Sequence, residues 1–139
     1  MVAYNKFNSF IEAVMEKVHN LGSDTLKIML TNVAPVATNT VKANLTEIAA
    51  GNGYTAGGTA LTGITSSQTS GTYKLVASDV VFTAAGGSIG PFRYAVLYND
   101  TAINDELIAW WDYGLSITLL STETFTVDFD PTNGVLQAT

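Results

Sequence analysis

Apolar side chains recur at steps of three and four over the first twenty residues. On a helix these positions form one stripe, made of Phe7, Phe10, Ile11, Val14, Val18 and Leu21. Gly22 follows the stripe, and glycine commonly marks the C-terminal end of a helix. The pattern predicts an amphipathic N-terminal helix over residues 1–22. Its apolar face packs either on its own domain or on a neighbouring subunit, with Phe7 and Phe10 as anchors in both cases.

A strand pattern follows this helix. Residues 25–30 alternate between the two faces of a strand, and one face carries Leu26, Ile28 and Leu30. A short helix is then predicted between residues 40 and 48. Residues 50–72 are rich in Gly, Ser and Thr and show little hydrophobic pattern. We expect a flexible loop region there, in which residues 51–58 form a loop and the remainder forms a weak edge strand or an exposed loop.

Alternation with a period of two dominates the chain from Tyr73 onward. It predicts several short strands, with a bulge or bend at Ser78 and Asp79. The turn over residues 130–134 is predicted to close a hairpin onto residues 135–138. Short strands separated by turn signals are typical of sandwiches and jelly rolls. We therefore expect a mainly β fold, namely one antiparallel β-sandwich domain of jelly-roll type over residues 1–139, with an N-terminal α-helix.

Two adjacent tryptophans lie in one of these predicted strands, so they must point to opposite faces. Trp111 shares its face with Leu107, Ala109 and Tyr113, which predicts a core position for Trp111. Trp110 then faces outward. There it is covered either by another part of the same domain or by a partner, since Trp is enriched at interfaces. The candidate interface residues are Phe7, Phe10, Trp110 and Tyr113.

The composition is unusually poor in charge. Of 139 residues, 47% are hydrophobic and 13% are charged, whereas about 25% is usual for charged residues. Uncharged surface is cheap to desolvate, which favours a protein that buries its exterior against partners. The net charge of −6 argues against binding to nucleic acid. The chain has no cysteine, and we expect neither a secretory signal nor a membrane span.

The residues that usually carry catalysis are scarce. His19 is the only histidine, and its place near the end of the predicted helix gives it an ordinary role beside the helix dipole. The glycine-rich stretch after Ala50 lacks the Lys-Ser or Lys-Thr ending of a phosphate-binding loop. A hydrolase would need an acid pair such as Asp112 with Glu106, and no sequence motif supports this pair. We expect no enzymatic activity, no catalytic residue and no cofactor.

Asp128 and Asp130 lie two residues apart in a predicted strand, so their carboxylates share a face. Two carboxylates on one face could hold a hard cation with help from loop oxygens. Charges on an edge strand more commonly face solvent. We expect no metal, and leave a cation at these two residues as the open alternative.

Four segments, in this order along nearly the whole chain, resemble small structural proteins of tailed phages. They are residues 21–27 (LGSDTLK), 47–54 (EIAAGNGY), 90–100 (GPFRYAVLYND) and 110–114 (WWDYG). Some of these phage proteins are head decoration, or cement, proteins with a jelly-roll core. The resemblance implies a virion protein that is made in the host cytoplasm and binds the major capsid protein on the capsid surface. We also expect a homo-oligomer, either a dimer or a trimer. The acidic charge and the lack of a long apolar stretch predict that it binds no nucleic acid and no membrane.

A carbohydrate-binding or receptor-binding module of a phage tail fibre is the alternative. Trp110, Tyr113 and Tyr98 would form a stacking platform for sugar rings, with Asp112 and Asn99 as hydrogen-bond partners. Such a module needs the aromatic row to be exposed in a concave site beside the carboxylate. A cement protein instead has its aromatic residues covered by another chain.

Overall fold

The computed structural model describes residues 2–139 and shows a mainly β chain with one short α-helix. In chain order the elements are β1 (Asn5–Lys6), α1 (Phe10–Met15), β2 (Leu26–Thr31), a 3-10 helix (Lys42–Asn44), β3 (Thr59–Ala60), β4 (Thr65–Thr69), β5 (Thr72–Val76), β6 (Val80–Thr83), β7 (Ile89–Asn99), β8 (Leu107–Leu119), β9 (Thr124–Val127) and β10 (Leu136–Ala138).

The strands form three antiparallel sheets. The largest has five strands in the order β1-β8-β7-β2-β3, built around the long β7–β8 hairpin. A second sheet has the order β10-β5-β4, and the third is the pair β6-β9. Every strand pairing is antiparallel, which confirms a β-rich antiparallel fold.

Apolar side chains cover both faces of the five-stranded sheet. The larger core lies on one face and takes residues from all three sheets, including Leu30, Ala95, Leu75, Phe82, Val127 and Leu136. The smaller core lies on the other face and consists of Phe7, Met29, Val96, Tyr98 and Leu107. Strand β2 follows its predicted alternation, because Leu26, Ile28 and Leu30 all enter the larger core while Met29 enters the smaller one.

Register shifts alter which residues share a face in β7 and β8. Tyr98 pairs with Leu107, but Leu97 pairs with Ala109, so one extra residue of β8 lies between them. As a result Leu107 enters the smaller core, and the prediction that it shares a face with Ala109 and Trp111 is wrong. A second shift after Phe92 likewise separates Phe92 from the alternation that follows it.

The N-terminal helix is much shorter than predicted. Instead of spanning residues 1–22, α1 has six residues, and β1 precedes it because Asn5 and Lys6 pair with Trp110 and Ala109. Beyond α1, the positive φ of Lys17 (67°) is incompatible with continued helix. The predicted apolar stripe is therefore divided between α1, which holds Phe10, Ile11 and Val14, and irregular segments on either side of it.

Residues 50–72 contain the edge strand that was one of the two predicted alternatives: β4 is the edge strand of the second sheet, and β3 also lies in this region. The predicted C-terminal hairpin is wrong: the turn forms, with a bridge between Asp130 and Gly134, but β10 pairs with β5 and β9 pairs with β6. The turn therefore passes the chain from one sheet to another.

Candidate interaction surfaces and site residues

The two tryptophans lie on opposite faces of β8, as the sequence predicts. Trp111 is 6% exposed and packs in the larger core, where its ring is 5.8 Å from that of Phe129. Trp110 is half-buried against the smaller core. Its ring lies 4.5 Å from the ring of Phe7, and Leu45 also packs on that cluster. Residues of the same chain therefore cover part of Trp110.

Phe7 and Phe10 are not available to a partner. Phe7 is fully buried in the smaller core, and Phe10 is buried in the larger core beside the ring of His19. Their placement as interface anchors is corrected, because each ring fills space inside the chain itself. The alternative in which this segment packs on its own domain is the one observed.

Tyr113 packs within the chain and only part of it is exposed. Its ring meets the ring of Phe125 edge-on at 4.7 Å, and burial raises the pKa of its hydroxyl to about 12. Next to it, Arg93 donates two hydrogen bonds to the carboxylate of Asp112, at 2.8 and 3.0 Å. The Arg93 guanidinium, with the Gly114 backbone N–H, holds the pKa of Asp112 below its usual value.

The aromatic platform for a sugar is not assembled. Tyr98 and Asn99 are both buried, and the Tyr98 hydroxyl donates to the carbonyl of Gly57. Trp110 and Tyr113 are an odd number of residues apart in β8, so they lie on different faces. No continuous aromatic row joins them.

The acid pair considered for hydrolysis is also not assembled. Asp112 is held by Arg93, and Glu106 lies before the other end of the same strand. Six residue steps along the strand place their Cα atoms roughly 18–20 Å apart. Pairs of catalytic carboxylates in glycosidases lie about 5–10 Å apart. The two residues therefore cannot act on one bond.

His19 joins a buried polar cluster rather than a helix end. Its Nδ1 lies 3.0 Å from Nδ2 of Asn99, which also donates to Asp24 at 2.7 Å. The side-chain oxygen of Asn99 accepts from the backbone N–H groups of Thr101 and Ala102. The amide nitrogen of Asn99 therefore faces His19, so the imidazole accepts a hydrogen bond at Nδ1 and is neutral.

The electrostatics of His19 agree with this assignment. Burial lowers the pKa of His19, although the negative charges of Glu106 and Asp24 act in the opposite direction. The hydrogen bond through Asn99 ties the segment after α1 to the end of β7. This is a structural role, and it replaces the predicted role beside the helix dipole.

Asp130 has its oxygens occupied by its own turn. Its carboxylate accepts hydrogen bonds from the backbone N–H groups of Thr132 and Asn133 and from the Asn133 side chain, which lower its pKa. Asp128 is exposed. Within residues 2–139 no group of three or more His, Cys, Asp or Glu side chains is placed to hold a metal ion.

An apolar groove beside α1 is a feature that the sequence analysis did not single out. It has a volume of about 550 Å³, and its lining includes Ile11, Met15, Val18, Tyr73 and Leu136. Met15 is 80% exposed, and Ile11 and Val18 are exposed as well. The predicted apolar stripe included Ile11 and Val18, so the sequence marked both as apolar. It predicted a packed helix face, however, and did not predict that these two side chains would be exposed.

Two further exposed apolar residues, Val33 and Leu115, lie in segments that a side-chain hydrogen bond joins. Val33 and Leu115 are both exposed, Leu115 by 65%. Their neighbours in sequence are joined, because the Ser116 hydroxyl donates to the side-chain oxygen of Asn32 at 2.7 Å. We call Val33 and Leu115 the rim pair.

Comparison with known proteins does not identify the class of this protein. No family model, no curated protein and no solved structure matches the chain. In the part of the chain that is described, none of the helices is both long and apolar enough for a membrane crossing.

Proposed function

We propose that this chain is a non-enzymatic structural protein of a tailed-phage virion, which binds the outside of the capsid and stabilises the shell. Its partner is the major capsid protein, and it acts as a homo-oligomer. The resemblance of four segments to phage structural proteins supports the class. The mechanism is contact alone: the protein bridges capsid subunits and resists the pressure of packaged DNA.

The observation that best supports this proposal is that large hydrophobic side chains are exposed in a chain with few charged residues. Large hydrophobic side chains stand exposed at separate places, including Met15, Ile103, Leu115 and Leu120, while only 13% of residues are charged. Burial of such side chains against a partner is favourable, at about 1.5–3 kcal/mol for each fully buried residue of this size. Many copies on one shell would multiply the effect.

We propose further that the three sheets form a β-sandwich of jelly-roll type. The five-stranded sheet would be one layer, and the β10-β5-β4 and β6-β9 sheets would together form the other. The shared larger core, which takes side chains from all three sheets, supports this arrangement.

A binding assay on purified capsids that lack the chain tests the proposal. Labelled protein should co-sediment with expanded capsids and raise the temperature at which they lose DNA. Leu115→Glu places a charge in the rim pair and should weaken binding at least about tenfold, since a charge cannot be buried cheaply against an apolar partner. Thr118→Glu, at an exposed position of the same strand, is the matched control and should bind normally.

Two outcomes would contradict these statements. If the wild-type chain does not bind expanded capsids at all, the capsid proposal is wrong. If Leu115→Glu binds as well as Thr118→Glu, the rim pair is not the contact. Thermal melting of both variants shows whether the fold survives.

A further inference from the structure

Strand β4 leaves an open edge on the second sheet. Its five residues, Thr65–Thr69, are all exposed, and β5 covers only one of its sides. Natural proteins usually protect edge strands with charged side chains, with proline or by keeping them very short. This strand reads TSSQT and has none of the first two protections. It is also the longest of the strands that end a sheet of three or more.

The direction of the free backbone groups follows from the β4–β5 hairpin. Its two-residue loop, Ser70-Gly71, has positive φ at both positions (51° and 83°), as in the type I′ turn. The residues that flank such a loop exchange hydrogen bonds with each other, and hydrogen-bonding direction alternates along the strand. Ser66 and Gln68 therefore direct their backbone N–H and C=O groups to the open side.

The charge distribution indicates which partner suits this edge. Residues 48–73 contain no Asp, Glu, Lys or Arg, in a chain of net charge −6. Where two copies of one strand pair across a two-fold axis, the residue on the axis faces its own copy, so a charge at that position would face a like charge. An uncharged segment avoids this repulsion between like charges. Pairing with a strand of a different protein would not require β4 to be uncharged, so the lack of charge favours a second copy of this chain.

We propose that β4 pairs antiparallel with β4 of a second copy of this chain, with the two-fold axis at Ser67. This register places Thr65 opposite the partner's Thr69 and Ser66 opposite the partner's Gln68. All the free groups of Ser66 and Gln68 then form hydrogen bonds, and Ser67 faces itself in a pair without hydrogen bonds between the two backbones. Cross-strand pairs of Thr and Ser are favourable.

The apolar groove beside α1 supplies the buried area that a polar strand edge lacks. Ser66 of β4 lines the same groove as Ile11, Met15 and Val18. A second copy paired along β4 would therefore lie next to these exposed apolar side chains and could cover them. Strand pairing fixes the register, and burial of the groove adds affinity. The inference does not depend on binding to a capsid.

Cysteine crosslinking tests the register, because the chain has no cysteine of its own. In Ser67→Cys the two thiols would face each other in a pair without backbone hydrogen bonds, where Cβ atoms lie closest and a disulfide fits. Thr65→Cys and Thr69→Cys are matched controls on the same face. In the proposed register each lies about 14 Å from its own copy, too far for a disulfide.

After mild oxidation of the purified protein with oxidised glutathione, Ser67→Cys should run as a dimer on a non-reducing gel. Thr65→Cys and Thr69→Cys should each remain monomeric when alone, but a mixture of the two should form a crosslinked dimer. Sedimentation of the wild-type chain over a concentration series should show reversible dimers. Equal melting temperatures under reducing conditions show that the variants fold.

Three results would overturn the proposal. One is a wild-type chain that stays monomeric at every concentration. Another is equal crosslinking of all three cysteine variants, which is the result of random collision. The third is a chain that accepts an added strand from another protein at β4 but never crosslinks to itself. Binding to capsids is not measured here, so failure of this test leaves the capsid proposal to its own assay.

Discussion

One peptide step separates Trp110 from Trp111, and the strand sends their side chains into different surroundings. Trp111 meets the larger core, whereas Trp110 lies over Phe7 and keeps part of its surface exposed. The alternation of side chains along a strand was enough to predict this difference. It could not predict Phe7 as the covering residue, because that contact depends on the pairing of β1 with β8.

Replacing each tryptophan by alanine should separate the two environments. Trp111→Ala should lower the free energy of unfolding by about 3–5 kcal/mol, as for large aromatic residues in cores. Trp110→Ala should cost the isolated chain about 1–2 kcal/mol, because its side chain is only half-buried. Chemical denaturation of the free protein measures both. Equal losses would show that Trp110 is as important to the core as Trp111.

The stability of the protein should depend on the protonation of His19. Because burial lowers the pKa of His19, the folded state binds this proton more weakly than the unfolded state does. The stabilisation is therefore complete above the unfolded pKa of about 6.5 and is lost as pH falls below it. The lowered pKa values of Asp112 and Asp130 act in a separate window, below about pH 4.

The measurement is the free energy of unfolding at about pH 7.5 and about pH 5.5, for the wild type and for His19→Gln. Glutamine has no charge to gain and can still accept from Asn99. The wild type should lose more stability than the variant between the two pH values. If both lose the same amount, His19 does not carry the effect.

At the scale of elements, alternation with a period of two predicted β2 and several short strands after Tyr73, whereas the structure has two long strands, β7 and β8, in that part of the chain. The sequence pattern overestimated α1, since apolar spacing alone does not show that Asn5 and Lys6 pair with β8. It also assigned Val135–Ala138 to a local hairpin. That segment pairs instead with β5, some 60 residues earlier in the chain, and no local pattern encodes such a distant partner.

The attachment of β3 to β2 should depend on a glycine. Gly58 has a φ of 81°, and a Cβ atom at this position would collide with the backbone carbonyl oxygen of Ile28. Gly71 has nearly the same φ (83°) but open space around it. Gly71→Ala should cost about 1–2 kcal/mol from backbone strain alone, and Gly58→Ala should cost more because the strand backbone must also move.

Thermal or chemical unfolding of these two variants checks the prediction. The matched φ values make the difference between the variants a measure of the steric contact alone. Equal costs would mean that β3 can shift away from β2 without loss.

At the scale of the whole molecule, the proposed function rests on the low share of charged residues and on the exposed apolar side chains. The composition predicted a surface suited to partners. It could not say which residues form that surface: Phe7 and Phe10 are buried, and Ile11, Met15 and Leu115 are exposed. Exposure depends on which neighbours fold over a side chain, and single-sequence patterns do not record this.

Binding to the capsid should depend little on salt. Only charged contacts are screened by ions, and 13% of the residues are charged. The dissociation constant should change by less than about threefold between low and high salt, as measured by co-sedimentation with purified capsids. A steep loss of affinity would show that a few ion pairs carry the contact.

The protein composition of purified virions tests the capsid assignment most directly. The proposal predicts that the chain is present in many copies in purified tailed-phage virions and that cryo-electron microscopy places it on the outer surface of the head. A virion without the chain, or one that carries it only on the tail, would contradict the account.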